Sequence, residues 1–147
     1  LNPYEEDSVA THLTLISSTM EIVGKSDRGN VTVTFLNKSL NTRSYLKKGT
    51  VLRGARFKRV GIKESIEKKL GKLKKRTNRD IIFDELSDLL ELIDKKNACT
   101  ATHATVLLNH PDFRTAVETF RGTDNEKYTR LVDLSESKKK YCLSAGN

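Results

Sequence analysis

The stretch DIIFDELSDLLELIDKK, residues 80–96, carries the clearest structural pattern in this chain. Projected at the helical period, its apolar residues cover a wide arc, which is typical of a helix at the centre of a core. These residues are Ile81, Ile82, Phe83, Leu86, Leu89, Leu90, Leu92 and Ile93. The acids form a narrow stripe on the other side, at Asp80, Asp84, Asp88, Glu91 and Asp94. We therefore predict a central helix over Asp80–Lys96, with Thr77 or Asn78 as its N-cap.

The segment before this helix is strongly basic. Between Arg43 and Arg79 there are fifteen lysines and arginines but only two acids, Glu64 and Glu67, which gives a net charge of +13. The whole chain carries +8, so the remaining residues together carry −5. Opposite charges concentrated in neighbouring segments favour surfaces that have different partners.

Within the basic segment, the apolar period predicts a helix that begins at Ile62. Spacings of four, four and three residues place Ile62, Ile66, Leu70 and Leu73 on one stripe. Three lysines point away from that stripe, at Lys68, Lys72 and Lys75. A short connection makes this helix antiparallel to the acidic one, and only margin residues such as Lys69 and Arg76 are expected to reach the acids.

The N-terminal third has the composition of strands, and the C-terminal part that of further helices. We predict strands within Val9–Val23, Val31–Leu36 and Val51–Val60. Helices are predicted over Ala101–Leu108, from Pro111 to near Gly122, and over Tyr128–Leu134. The predicted fold class is α+β, with an N-terminal antiparallel β-sheet followed by a C-terminal helical group.

A length of 147 residues predicts a single domain, 1–147. Within it we expect a flexible arm at 1–7, a mainly β part at 8–60, a mainly α part at 61–134 and a frayed tail at 135–147. No run of 18 apolar residues occurs, so no transmembrane span is expected. Two cysteines that are 43 residues apart, without a signal peptide, fit a reducing compartment, cytoplasmic or nuclear. Because the chain does not begin with Met, we expect an excerpt or a processed product.

The charge pattern predicts a non-enzymatic nucleic-acid-binding protein, with RNA as the favoured partner. Lysines and arginines near a polyanion release condensed counterions, and lysine-rich surfaces attract phosphates without reading base edges, so low sequence specificity is expected. No small-molecule substrate is expected. The candidate contact residues are Arg53, Arg56, Lys58, Arg59, Lys63, Lys68, Lys72, Lys75, Arg76 and Arg79.

Three other interpretations use the same residues. In the simplest interpretation, the basic face is a solvent-exposed surface without a ligand. An amphipathic lysine-rich helix also suits an anionic membrane surface. The third is a self-assembling structural or matrix-type protein, a homo-oligomer in which the basic face of one copy meets Asp84, Asp88 and Glu91 of the next.

Catalytic and metal sites are weakly indicated, and we predict no catalytic residue, metal or cofactor. Cys99 and His103 are four residues apart, but a structural zinc site needs four ligands. Acid–base ribonuclease chemistry would need His12 together with His103 or His110. For each histidine, a half-exposed polar residue is the simpler interpretation.

Overall fold

The computed structural model describes residues 9–42, 44–47, 50–94, 96–97 and 99–147, and of residues 37–39, 44–47 and 50–53 it describes the backbone alone. The chain forms two compact units, which we call the first unit, Leu1–Lys63 with Leu143–Asn147, and the second unit, Glu64–Cys142. The boundary falls inside one helix, which contributes residues to both units. The assignment of the whole chain to a single domain stays a prediction, and the predicted arm at 1–7 lies outside the described residues.

A three-stranded mixed sheet lies in the first unit, with β1 (Leu13–Ile16) in the middle. One turn of helix, α1 (Val9–His12), precedes it. β2 (Glu21–Gly24) pairs antiparallel with β1, and β5 (Ser144–Gly146) pairs parallel with its other edge. The frayed tail predicted over 135–147 is therefore wrong, because the end of the chain is hydrogen-bonded into the sheet.

α2 (Asp27–Asn41) stands where the strand Val31–Leu36 was predicted, so that prediction is wrong. Its N-cap is Ser26, whose Oγ accepts a hydrogen bond from the Gly29 amide at 3.1 Å. Gly29 also lies against α1: a Cβ there would come 1.9 Å from the His12 carbonyl oxygen. The cap and this close approach outweigh the β propensity of the alternating valines.

A two-stranded antiparallel hairpin follows, formed by β3 (Ser44–Lys47) and β4 (Thr50–Arg53). α3 (Ala55–Leu73) starts two residues later. The strand predicted over Val51–Val60 is wrong beyond Arg53, and the predicted helix starts earlier than Ile62. With α1 and α2, more of the described residues between 8 and 60 are helical than extended, so the mainly β expectation is also wrong.

The second unit is helical. After α3 it contains α4 (Arg79–Glu91), α5 (Thr100–Asn109), α6 (Pro111–Glu118), α7 (Asn125–Lys138) and a 3₁₀ turn (Lys139–Tyr141). The helices predicted over 101–108 and from Pro111 are confirmed. The helix predicted over Asp80–Lys96 is confirmed as far as Glu91, where α4 ends, and α7 is longer than the predicted Tyr128–Leu134. The α+β class, with a small sheet near the N-terminus and a C-terminal helical group, is confirmed.

α4 is the central helix of the second unit, as the sequence predicts. It packs against α5, α6 and α7. Asn78 caps it, because the Asn78 Oδ1 accepts from the amides of Asp80 and Ile81. Leu86 and Leu90 are completely buried. The apolar arc of α4 therefore faces the core, and its acidic stripe is left on the surface.

Candidate nucleic-acid interface

Arg59 belongs to the interior of the first unit, with 3% of its surface exposed. Its Nε donates to the Met20 carbonyl at 2.8 Å, and its Nη2 donates to the Leu40 carbonyl at 2.5 Å and to Asn41 Oδ1 at 3.2 Å. Met20 has a left-handed backbone, with φ 56°, in the turn between β1 and β2. The prediction that Arg59 contacts nucleic acid is corrected here, because its donors face protein oxygens and are closed off from a phosphate.

Arg56 and Lys63 bind the same turn from the same helix. The Arg56 Nε donates to the Thr19 carbonyl at 2.7 Å, and its Nη1 lies 2.9 Å from Glu21 Oε1. The Lys63 Nζ donates to the Ser17 carbonyl at 2.8 Å. Spacings of three and four residues place Arg56, Arg59 and Lys63 on one face of α3. These three predicted contact residues fix α3 onto the β1–β2 turn.

Arg76, in the connection between α3 and α4, and Arg79, the first residue of α4, also have partners within the second unit. Arg76 Nη2 lies 3.1 Å from Glu85 Oε1, which is the margin pairing that the sequence predicts. Arg79 Nη2 donates to the Thr119 carbonyl at 3.0 Å, and the Arg79 guanidinium lies 5.5 Å from the Phe120 ring centroid. Both side chains are tied to neighbouring helices before any ligand arrives.

Four lysines remain from the predicted set, and the Arg53 side chain lies outside the described residues. Lys58 is exposed in the first unit, and Lys68, Lys72 and Lys75 are exposed in the second. Within the described part of the chain, the ammonium group of none of these four lysines takes part in a hydrogen bond or an ion pair. They are the cations of the predicted set that a ligand can reach without displacing a protein partner.

The three lysines of the second unit form what we call the lysine face, Lys68, Lys72 and Lys75. Ile66 and Leu70 on the opposite side of α3 are buried, which turns Lys68 and Lys72 to solvent. Lys68 and Lys72 are neighbours at i and i+4, and Lys75 follows in the turn after α3. The lysine face therefore presents a row of three ammonium groups.

A groove of about 270 Å³ runs beside the lysine face, between α3 and α4. Lys69, Lys72 and Arg76 line one side of it, and Glu85 and Asp88 line the other. The groove is therefore basic along α3 and acidic along α4. A polyanion that contacts the lysine face is repelled by α4, so its path is restricted to the α3 side.

The predicted self-association acids all line a second groove, between α4 and α7. Its volume is about 700 Å³. The residues that line it are Phe83, Asp84, Ser87, Asp88, Glu91, Arg130, Asp133 and Leu134. We call this the acidic groove, because its four carboxylates outnumber its single base. At its apolar end, the Arg130 guanidinium lies 5.4 Å from the Phe83 ring centroid.

The three histidines lie in local environments that are typical of structural residues. His110 caps α6, because its Nδ1 accepts from the Asp112 amide at 3.1 Å. His12 Nδ1 lies 2.7 Å from Ser26 Oγ in the first unit. Burial, and then the charge of Lys69, lower the pKa of His103, so the ring is neutral at pH 7.

Both cysteines are free thiols. Burial raises the pKa of Cys142 to about 11, which keeps it protonated and unreactive at neutral pH. Cys99 occupies the N-cap position of α5, with a left-handed backbone at φ 63°. Among the described residues, no group of three or more histidine, cysteine and acidic side chains is arranged to hold a metal ion.

No family model, no curated protein and no solved structure matches this chain. In the part of the chain that the structure describes, no helix combines the length and the apolar character needed to cross a bilayer.

Two features of these surfaces were missed by sequence reasoning. Asp133 and Arg130 of α7 complete the acidic groove, because the groove forms only when α7 packs on α4. Phe35 is an exposed residue of the helix α2, whereas a strand was predicted over Val31–Leu36. The sequence signal that indicates α2 is Ser26, a favoured N-cap residue, followed by Asp27 in the first helical turn.

Proposed function

We propose that this protein binds nucleic acid, with RNA as the favoured partner, through the phosphates that contact the lysine face. The observation that carries the proposal is that the predicted contact residues fall into two groups, those bound to the protein and those free to meet a ligand. Arg56, Arg59 and Lys63 are bound to protein oxygens, whereas Lys68, Lys72 and Lys75 are exposed and unpaired among the described residues. Each such lysine near a phosphate releases counterions.

The proposed binding has low sequence specificity. A lysine ammonium is a point charge on a flexible stem and lacks the planar fork that reads two acceptors on a base edge. The arginines that could do so, Arg76 and Arg79, are held by Glu85 and the Thr119 carbonyl. The proposed function is non-enzymatic. The proposed location is cytoplasmic or nuclear, because two free thiols suit a reducing compartment.

Reversing the lysine face tests the proposal. In Lys68→Glu/Lys72→Glu/Lys75→Glu, we expect the affinity for a labelled single-stranded RNA to fall at least tenfold at low salt, because three phosphate contacts become repulsive. The slope of log K against log salt concentration should fall by about 2. Fluorescence anisotropy titrations at several salt concentrations measure both quantities.

The charge-matched control is Lys96→Glu/Lys139→Glu/Lys140→Glu, which changes the net charge equally at exposed lysines elsewhere in the second unit, although Lys139 pairs with Glu136 and Lys140 lies over the Tyr141 ring. If this control weakens binding as much as the lysine-face variant, overall charge and not the lysine face is responsible. Failure of the wild-type protein to bind RNA or DNA at low salt refutes the proposal. Binding to anionic vesicles without binding to oligonucleotide also refutes it, in favour of the membrane interpretation.

Self-assembly is a second candidate function, which the acidic groove favours. Asp84, Asp88 and Glu91 line this groove with a fourth acid, Asp133. The lysine face of a second copy has the complementary charge, and a contact between two different surfaces of one chain propagates head to tail. Such a contact is compatible with RNA binding at low protein concentration.

Paired charge reversals test self-assembly by light scattering across a range of protein concentrations. Reversal of the lysine face alone, or Asp84→Lys/Asp88→Lys/Glu91→Lys alone, should leave a monomer. The six-fold variant that combines both should associate again, because the two surfaces are complementary once more. RNA binding should not return with it. A monomeric wild-type protein at high concentration and low salt rejects this second function.

A further inference from the structure

α2 exposes an aromatic ring on the surface of the first unit. Phe35 is 87% exposed and Val31, one turn before it, is 71% exposed. Arg28 is also exposed, three residues before Val31. The spacings i, i+3 and i+7 place Arg28, Val31 and Phe35 on one face of the helix. This face combines a cation with a large apolar ring.

The orientation of this face is fixed by contacts on the other side of α2. Asn41 Oδ1 accepts from the Ile22 amide at 2.8 Å, and its Nδ2 donates to the Ile22 carbonyl at 2.9 Å. At the opposite end of α2, Gly29 lies so close to His12 that no side chain fits between them. Because both ends of α2 are attached in this way, the helix cannot rotate to bury Phe35 without losing these contacts.

The size of the patch argues against a protein partner. A buried aromatic side chain covers about 150–250 Å², and Val31 and the partly exposed Leu36 add two smaller side chains. The sum is far below the roughly 800 Å² that each partner contributes to a stable protein interface. It is close to the area of one planar ring lying on another.

The charge of the first unit favours a ligand with a polyanionic backbone. Its sequence contains eleven lysines and arginines against five acids. Arg28 and Phe35 are separated by seven residues, about 10 Å along the helix axis. A single strand that places one base on Phe35 therefore carries its phosphates past an exposed cation of the same face.

We propose that Phe35 is a stacking platform for an unpaired base of single-stranded nucleic acid. This inference rests on the proposed function and adds a contact in the first unit to the lysine face in the second. Base–aromatic stacking tolerates all four bases, since each has a π-face. It also requires the base to be unpaired, so it makes the protein prefer single strands over duplexes.

Stacking has a thermodynamic signature that differs from phosphate contact. Removing the ring should weaken single-strand binding about fivefold or more without changing the slope of log K against log salt, because no counterion is released at Phe35. Removing a lysine of the lysine face should lower that slope. We therefore expect parallel plots of log K against log salt concentration for Phe35→Ala and the wild type.

The chain contains no tryptophan, so Phe35→Trp introduces a single selective fluorophore. We expect its emission to be quenched by single-stranded oligonucleotide, and not by duplex of the same sequence. Ile81→Trp is the matched control, because Ile81 is an exposed residue of α4, 38% exposed, in the second unit and lines neither of the two grooves described above. Its emission should change little.

Phe35→Leu separates stacking from a general apolar contact. It keeps an apolar side chain but removes the π-face, so it should weaken single-strand binding about as much as Phe35→Ala does. Wild-type affinity in Phe35→Leu overturns the inference, because an apolar contact without a π-face would then be enough for binding. Tight binding by anisotropy with unquenched Phe35→Trp also overturns it, while the function through the lysine face stands. No binding at all at low salt overturns both.

Discussion

We expect Phe120→Ala to lower the free energy of unfolding of the second unit by about 3–5 kcal/mol. Phe120 is completely buried in the turn between α6 and α7. Its ring meets the Phe83 ring edge to face, with centroids 6.2 Å apart, and the Arg79 guanidinium lies over it. Truncation leaves a cavity among helices that are held by many other contacts, so the site can collapse only in part.

Urea denaturation followed by circular dichroism measures this loss. Phe35→Ala is the matched control, since it makes the same chemical change at an exposed position. We expect the control to alter the free energy of unfolding by no more than about 0.5 kcal/mol. A loss below about 1 kcal/mol in Phe120→Ala would contradict the role given to this ring.

The helices of the second unit were predictable because their signals are local. The apolar arc of α4, the Asn78 cap and Pro111 at the first position of α6 all lie within a few residues of the element they define. Each signal agrees with the packing that the structure has. The extension of α7 beyond Leu134 was missed because its polar C-terminal turns carry no apolar period.

The first unit was predicted less well because its secondary structure depends on contacts between residues that are far apart in the sequence. β5 pairs with β1 across most of the chain, and nothing in SAG at residues 144–146 indicates a strand. The alternation in Val31–Leu36 is equally compatible with a strand, and the approach of Gly29 to His12 favours the helix. Such contacts exist only in the folded chain, so a local pattern cannot contain them.

The candidate site was predicted in part. The charge pattern identified the basic segment, and helical projection placed the lysine face on the outside of α3. It could not separate cations that bind the protein from cations that face solvent. Arg56, Arg59 and Lys63 share one face because of their spacing, but only the turn at residues 17–20 shows that this face is covered.

Although Arg59 lies in the basic segment, Arg59→Met should therefore destabilise the protein as the mutation of a core residue does. We expect it to lower the free energy of unfolding of the first unit by about 2–4 kcal/mol, because the carbonyls of Met20 and Leu40 lose a charged donor inside the protein. Methionine keeps most of the apolar stem, so the loss reports on the hydrogen bonds more than on packing.

Lys58→Met is the control for Arg59→Met. The two residues are adjacent and each variant removes one positive charge, but Lys58 is exposed and unpaired within the described residues. We expect the Lys58 variant to stay within about 0.5 kcal/mol of the wild type. Arg59→Lys should recover only part of the loss, because one ammonium cannot reproduce the two-sided geometry of the guanidinium. Equal stability of Arg59→Met and Lys58→Met in urea denaturation would contradict this role of Arg59. Arg59 would then again be a candidate for phosphate contact, because its hydrogen bonds to the turn would not stabilise the protein.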